Sequence, residues 1–150
     1  MTDRPTPTAP LHFADSIGFQ VRDLNRAIQR ALHGLLAPHG VAPGGWYFLR
    51  VLWEEEGLTQ REIANRVGMM EPTAVIALRG LERAGWIERR RNPKDRRKIH
   101  IRLTPSGRAL REELLPLAHE VNARATAGLD AADRDALLGL LRRMRANFSD

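Results

Sequence analysis

A mainly α-helical fold with one small β-hairpin is what this sequence predicts, on three observations. Apolar residues recur at helical spacing from Phe13 to Met144, in about six blocks punctuated by Pro and Gly. Thr59 to Ala84 reads as two short helices joined by a tight turn at Gly68, a helix-turn-helix pattern. Directly after it, eight of the fourteen residues from Arg89 to Arg102 are Lys or Arg, and Asp95 is the one acid. Within that stretch Ile99, Ile101 and Leu103 alternate with Lys98, His100 and Arg102, the period of a strand with one dry face and one basic face. Asn92-Pro93-Lys94-Asp95 is a turn signal, and Trp86-Ile87 opens the partner strand. A helix pair followed by a cationic two-stranded ribbon describes a winged helix-turn-helix, an architecture suited to duplex DNA.

The elements follow in order. The stripe Phe13, Ile17, Val21, Leu24, Ile28, Ala31 and Leu35 marks the first helix, with Arg22, Arg26, Gln29 and Arg30 opposite. It should stop near Ala37, because Pro38 disfavours helical geometry at the residue before it. Pro43 suits the first turn of a second helix, whose buried side is Trp46, Leu49, Leu52 and Trp53. Glu54-Glu55-Glu56-Gly57 ends it; three carboxylates beside a glycine read as a solvated helix end in preference to a metal or general-base site. Thr59-Gln60-Arg61-Glu62 is a capping box for the third helix, with Ile63, Ala64 and Val67 inward. The fourth runs from about Glu71 to Ala84, with Ala74, Leu78 and Leu81 facing the core and Ala77 beside them; Gly85 stops it. Thr104 caps the fifth, with Pro105 at its first position, a stripe of Leu110, Leu114, Leu117 and Val121, and a kink expected at Pro116. Asp130 caps the sixth, where Leu137, Leu138, Leu140, Leu141 and Met144 form an apolar stripe too wide for so short a helix, as burial against a second subunit would require.

Composition narrows the function classes. One hundred and fifty residues is the length of one domain, and the formal charge of +6 favours an anionic partner. The chain has no cysteine, which removes disulfides, thiol catalysis, thiol redox sensing and thiolate metal sites together. MTDRPTPTAP is no signal peptide, and no apolar run approaches the ~18 residues of a membrane span. A cytoplasmic protein is expected. Residues 1–11 read as a flexible arm, residues 12–40 and 104–150 as a helical dimerisation region, and residues 41–103 as the winged helix-turn-helix lobe. Ser16 and Ser106 lack a convincing His/Asp constellation and no glycine loop for phosphate is present, so no enzyme is expected. The five histidines lack metal-ligand spacing, and neither a metal nor another cofactor is expected.

With Ala74, Leu78 and Leu81 inward, the fourth helix shows Pro72, Thr73, Val75, Ile76, Arg79 and Arg83 outward, its N-terminal end towards the major groove. Thr73 can bond a base edge or phosphate, and Val75 and Ile76 offer only apolar contact, such as with a thymine methyl. Arg79 suits guanine or phosphate. In the wing, Arg96 and Arg97 suit a narrow minor groove, and Arg89, Arg90, Arg91 and Lys94 suit phosphates. Asp95 either braces a neighbouring Arg or merely forms the turn.

Three blocks in the right order resemble the MarR family of bacterial transcription regulators, across Phe13 to Met144. These are GLTQREIANRVGMMEPTAVIALRGLERAGWIERR from Gly57, DRRKIHIRLTPSGRAL from Asp95, and LDAADRDALLGLLRRM from Leu129. The resemblance implies a homodimer joined through the first, fifth and sixth helices, on one pseudo-palindromic operator. It implies a repressor, in some members an activator, released by a small anionic or phenolic ligand. The family's Asp-x-Arg wing motif falls on Asp95 and Arg97, and its variable reading positions on Pro72, Thr73, Val75 and Ile76; many members carry a polar residue or Arg where Ile76 stands. The implied effector pocket points to Arg22, His33, Trp46, Tyr47 and Arg50, an aromatic wall with cations that suits an aromatic acid or its thioester. Against that, Trp46 and Trp53 read more simply as core residues than as pocket walls. A ligand-independent architectural DNA binder and a metal-responsive regulator are the alternatives.

Overall fold

The computed structural model describes residues 10–149, so most of the expected arm at 1–11 lies outside the described residues. Six helices and one two-stranded antiparallel sheet follow in the order α1 (Ile17–Leu36), α2 (Trp46–Glu54), α3 (Gln60–Val67), α4 (Glu71–Arg83), β1 (Ile87–Arg91), β2 (Ile99–Leu103), α5 (Pro105–Ala125) and α6 (Ala131–Ala146). The fold is thus mainly α with a β-wing. No described helix is long and apolar enough to cross a membrane.

The chain enters α1 later than periodicity suggests. Phe13–Asp15 forms a 3-10 turn, and the Ser16 Oγ then accepts from the Phe19 N–H at 3.3 Å as the true cap. α1 also carries two apolar faces where periodicity shows one stripe. Leu32 and Leu36, outside the expected stripe, are the helix's buried residues, with Ile28, Ala31 and Leu35 packed beside them. Phe13, Ile17, Val21 and Leu24 point into solvent. Pro43 starts a 3-10 turn, Pro43–Gly45, that leads into α2.

Thr59 Oγ1 accepts from the Glu62 N–H at 3.2 Å, the one half of the expected capping box that forms. Gly68 closes α3 at φ 73°, a left-handed conformation that costs glycine little, and its N–H reaches back to the carbonyls of Ala64 and Asn65. α4 then buries Ala74, Leu78 and Leu81. These join Phe48, Leu49, Leu52, Ile63, Ile101 and Leu114 in a single core. Burial of each such large side chain contributes about 1.5–3 kcal/mol.

The hairpin pairs Ile87 with Leu103 at its base and Arg91 with Ile99 at its tip. It is also sewn to the helices. The Ile101 N–H donates to the Leu58 carbonyl at 2.8 Å, the Gly57 N–H donates to that of Ile101 at 3.2 Å, and Thr59 bridges His100. The three residues before α3 therefore act as a third, very short edge of the sheet. α5 continues through Pro116 and packs on α1. α6 has a complete capping box between Asp130 and Asp133, yet none of its residues is buried.

Candidate nucleic-acid interface

The wing tip is built from short polar side chains. Asn92 Oδ1 accepts from the backbone N–H groups of Lys94 (2.9 Å) and Asp95 (3.3 Å), closing the turn that Asn-Pro predicts. The Asp95 carbonyl accepts from Lys98 N–H at 3.0 Å, and Lys98 returns its own carbonyl to Asn92 at 2.9 Å. Asp95 Oδ1 accepts from both the N–H (3.1 Å) and the Nε–H (3.2 Å) of Arg97. Asp95 is therefore a brace as well as a turn residue. Those bonds, the side-chain one foremost, hold its carboxyl below the usual aspartate range, with Lys98 adding to the effect. The Arg97 side chain is 92% exposed, so the brace aims a cation that is free to meet a ligand.

His100 is a strut and not a member of the basic face. Its Nδ1 lies 3.0 Å from the Gly57 carbonyl and its Nε2 lies 3.1 Å from Asn92 Nδ2. The neutral tautomer with its proton on Nδ1 satisfies both neighbours, donating to the carbonyl and accepting from the amide. The wing cations divide in the same way. Arg89 is half-buried and bonds Glu82 on α4 at 2.8 Å, which fixes the ribbon against that helix. Arg90 pairs with Glu88, and Arg91 donates to the Arg96 carbonyl at 3.4 Å. Lys94, Arg96, Lys98 and Arg102 are exposed and form no ion pair among the described residues.

On α4, Pro72, Thr73, Ile76, Arg79 and Arg83 are exposed, whereas Val75 is half-buried. Met70, which precedes the helix, is 78% exposed, and Ile76 is 70% exposed. Between α3, the start of α4 and the wing runs an open groove of about 690 Å³, where Arg61, Arg97 and Lys98 face Glu62, Glu71 and Asp95. The sequence does not single out Arg61, and it places Lys98 only on the basic face of its strand.

A polar knot joins this surface to the rest of the molecule. Glu56, expected to be solvated, accepts from the Leu103 N–H at 3.1 Å and from Arg108 at 2.9 Å, so it ties the end of β2 to the start of α5. Glu55 is bonded to Arg66, whose guanidinium is held above its ordinary pKa by that carboxylate. Thr104 caps α5 by accepting from Gly107 N–H (3.1 Å) and donates to the Gly85 carbonyl (2.5 Å). A Cβ on Gly107 would lie 2.0 Å from the Trp86 carbonyl oxygen, so this crossing admits only glycine.

A cavity of about 250 Å³ lies where α1, α2 and α5 meet. Trp46, Tyr47 and Arg50 line it from α2, with Leu32 of α1 and Val121 of α5. Trp46 is also a buried core residue, set edge-on to Trp53, and the Arg50 guanidinium stands 5.9 Å from its ring centre. Tyr47 Oη accepts from Gln29 Nε2 at 2.7 Å, linking α2 to α1. Arg22 and His33 are not brought to this cavity: Arg22 is exposed on α1, and His33 is half-buried with an Nε2 that has no partner among the described residues. Among the described residues no three His, Asp or Glu side chains are grouped to hold a metal.

The α3–α4 pair packed on the core, the exposed face of α4 and an Arg-tipped hairpin fixed to that helix define a winged helix-turn-helix DNA-binding protein. Comparison with known proteins agrees. The family model described as "MarR family" matches residues 44–99. The HTH-type transcriptional regulator TtmR of Methylorubrum extorquens is 36% identical over 91% of this chain and 69% of its own length. The structure of BpsR from Bordetella bronchiseptica, whose DNA binding is regulated by 6-hydroxynicotinic acid, superposes with a TM-score of 0.84 at 25% identity over 95% of this chain and 100% of that one. The transcriptional repressor CouR, bound to a 23-mer DNA duplex, superposes at 0.81 with 29% identity over 91% and 99%. The chain belongs to the MarR family of DNA-binding transcriptional regulators.

Proposed function

We propose that the protein works as a homodimer that represses transcription from a pseudo-palindromic operator and is released by a small aromatic acid or its thioester. Residues 12–40 and 104–150 form the dimer region, and residues 41–103 the DNA-binding lobe. α4 enters the major groove with Pro72, Thr73, Val75 and Ile76 towards the bases and Arg79 towards guanine or phosphate. Arg96 and Arg97 reach the minor groove, and Arg90, Arg91 and Lys94, with Arg61 and Lys98, meet phosphates. Arg89 positions the wing through Glu82. Action on the cell's own DNA places the protein in the cytoplasm.

Dimerisation is supported by large apolar residues left in solvent: Phe13, Ile17, Val21 and Leu24 before and along α1, and Leu137, Leu138, Leu140 and Leu141 on α6. The observation that carries ligand release is the position of the cavity. It lies between α1 and α5, which belong to the proposed dimer region, and α2, which leads into the helix-turn-helix. Its volume of about 250 Å³ has room for one ring, and Arg50 supplies a cation for a carboxylate. BpsR, regulated by 6-hydroxynicotinic acid, supports the same ligand class.

A titration of the protein–operator complex with single-ring aromatic carboxylates, 6-hydroxynicotinic acid among them, tests this. At least one should release the DNA, and Arg50→Ala should abolish the response. A panel without effect on operator affinity overturns ligand release. Deletion of residues 129–150 should leave a monomer by sedimentation, and a stable dimer contradicts the assigned interface.

A further inference from the structure

The reading face of α4 has an unusual chemistry for a surface that meets DNA. Pro72, Thr73, Ile76, Arg79 and Arg83 follow one another at helical spacing, and all are exposed. Both cations sit in the C-terminal half of this stripe. The N-terminal half, the part of a recognition helix that meets base edges, presents a proline ring, one hydroxyl and an isoleucine that is 70% exposed. Met70, 78% exposed, adds a second large apolar side chain just before the helix.

Apolar exposure here is no packing remainder. The opposite face of α4 already fills the core through Ala74, Leu78 and Leu81. The charges around the stripe fix its occupant. Exposed Arg96, Arg97 and Lys98 stand on the wing and Arg79 and Arg83 on α4; with Arg61 they outnumber the neighbouring carboxylates of Glu62, Glu71 and Asp95, so a polyanion drawn in by these cations is held against an apolar strip. The apolar feature that a major groove offers is the C5-methyl group of thymine. Guanine shows two acceptors, N7 and O6, at the same edge. Pressed against Ile76, those acceptors lose water and gain no donor, which penalises G·C at that step.

We infer that Ile76, assisted by Met70, is a specificity-determining residue that reads thymine through its C5-methyl group, and that Thr73 is a hydrogen-bonding reader beside it. This rests on the placement of α4 in the major groove proposed above. 5-Methylcytosine carries the same methyl group on a base with an amino group in place of the thymine O4. The site is assigned to thymine, and the methylated cytosine separates the methyl from the rest of the base.

The test uses the full-length protein and the duplex motif it selects from a random pool. That motif is resynthesised with deoxyuridine for each thymidine in turn, and separately with cytidine or 5-methylcytidine at the position most sensitive to uridine. Loss of a contacted methyl should weaken wild-type binding about fourfold per half-site, the partition value of one buried carbon. Ile76→Ala should bind the thymidine and deoxyuridine duplexes alike. 5-Methylcytidine should bind more tightly than cytidine at that position. Ile76→Arg, a surface change that leaves the core intact, should select guanine where the wild type selects thymine. Deoxyuridine without effect at every position, or an equal loss in wild type and Ile76→Ala, overturns methyl reading. If Thr73→Ala and Arg79→Ala still weaken the same duplex in that case, α4 remains in the groove and only the methyl inference falls. Selection of no motif at all removes both.

Discussion

The wing and α4 lie side by side, and they are made rigid by opposite means. α4 is fixed by apolar packing beneath it, with Ala74, Leu78 and Leu81 sealed in the core. The wing tip has no such core. It is fixed by Asn92, Asp95 and His100, each short side chain closing bonds to backbone or to a neighbour. Their outer surfaces are also opposite, apolar at the start of α4 and cationic at the hairpin. A stiff apolar helix is suited to discriminating between bases, and a polar-braced cationic loop is suited to supplying affinity that any sequence would share.

Substitutions should separate the two supports. Gly107→Ala comes first, because it drives a Cβ into the Trp86 carbonyl at the root of both elements. A loss of about 3 kcal/mol in chemical denaturation is expected, with both elements loosened in hydrogen exchange. Leu78→Ala, which opens a cavity under α4, should cost about 3 kcal/mol globally while the amides of the wing turn keep their local protection. Asn92→Ala should cost about 1 kcal/mol or less, with faster exchange confined to the amides of Lys94 and Asp95. Global unfolding by Asn92→Ala would erase the distinction.

The smallest effect concerns pH. The Asp95 carboxyl is held below its ordinary value, so the brace is fully present above the unfolded aspartate pKa and is lost as pH falls through the depressed one. Arg97 should therefore stay oriented from neutral pH down to the ordinary aspartate pKa. An NMR titration in which Arg97 Nε–H shifts near neutral pH would contradict that.

Much of this architecture is legible in the sequence because its signals are local. Thr59, Thr104 and Asp130 announce helix starts, Asn92-Pro93 announces the turn, and the alternation of Ile99, Ile101 and Leu103 announces a strand whose last two members are indeed buried. What escapes is set by partners far along the chain. Glu56 looks solvated until Leu103 and Arg108 are brought to it, and Arg89 looks like a free cation until Glu82 is beside it. His100 sits on the polar side of its strand by parity, yet Gly57 and Asn92 enclose it. Periodicity found an apolar face on α1 but merged two of them, one packed on the core through Leu32 and Leu36 and one left open from Phe13 to Leu24. The cavity residues show the same limit. Trp46, Tyr47 and Arg50 share one short helix and arrive together, while Arg22 and His33 could be placed only by the packing of α1.

The proposed division of labour between wing and helix is tested most directly by salt titration of DNA binding. Wild type, an Arg96→Ala/Arg97→Ala variant and Ile76→Ala would each be titrated against the selected operator and a scrambled duplex. The wing variant should weaken on both duplexes and lose about 0.9 from the log–log salt slope for each phosphate contact removed, while Ile76→Ala keeps the slope and loses only the preference for the operator. A wing variant with an unchanged slope, or one that loses operator preference while keeping its affinity for scrambled DNA, would contradict the account.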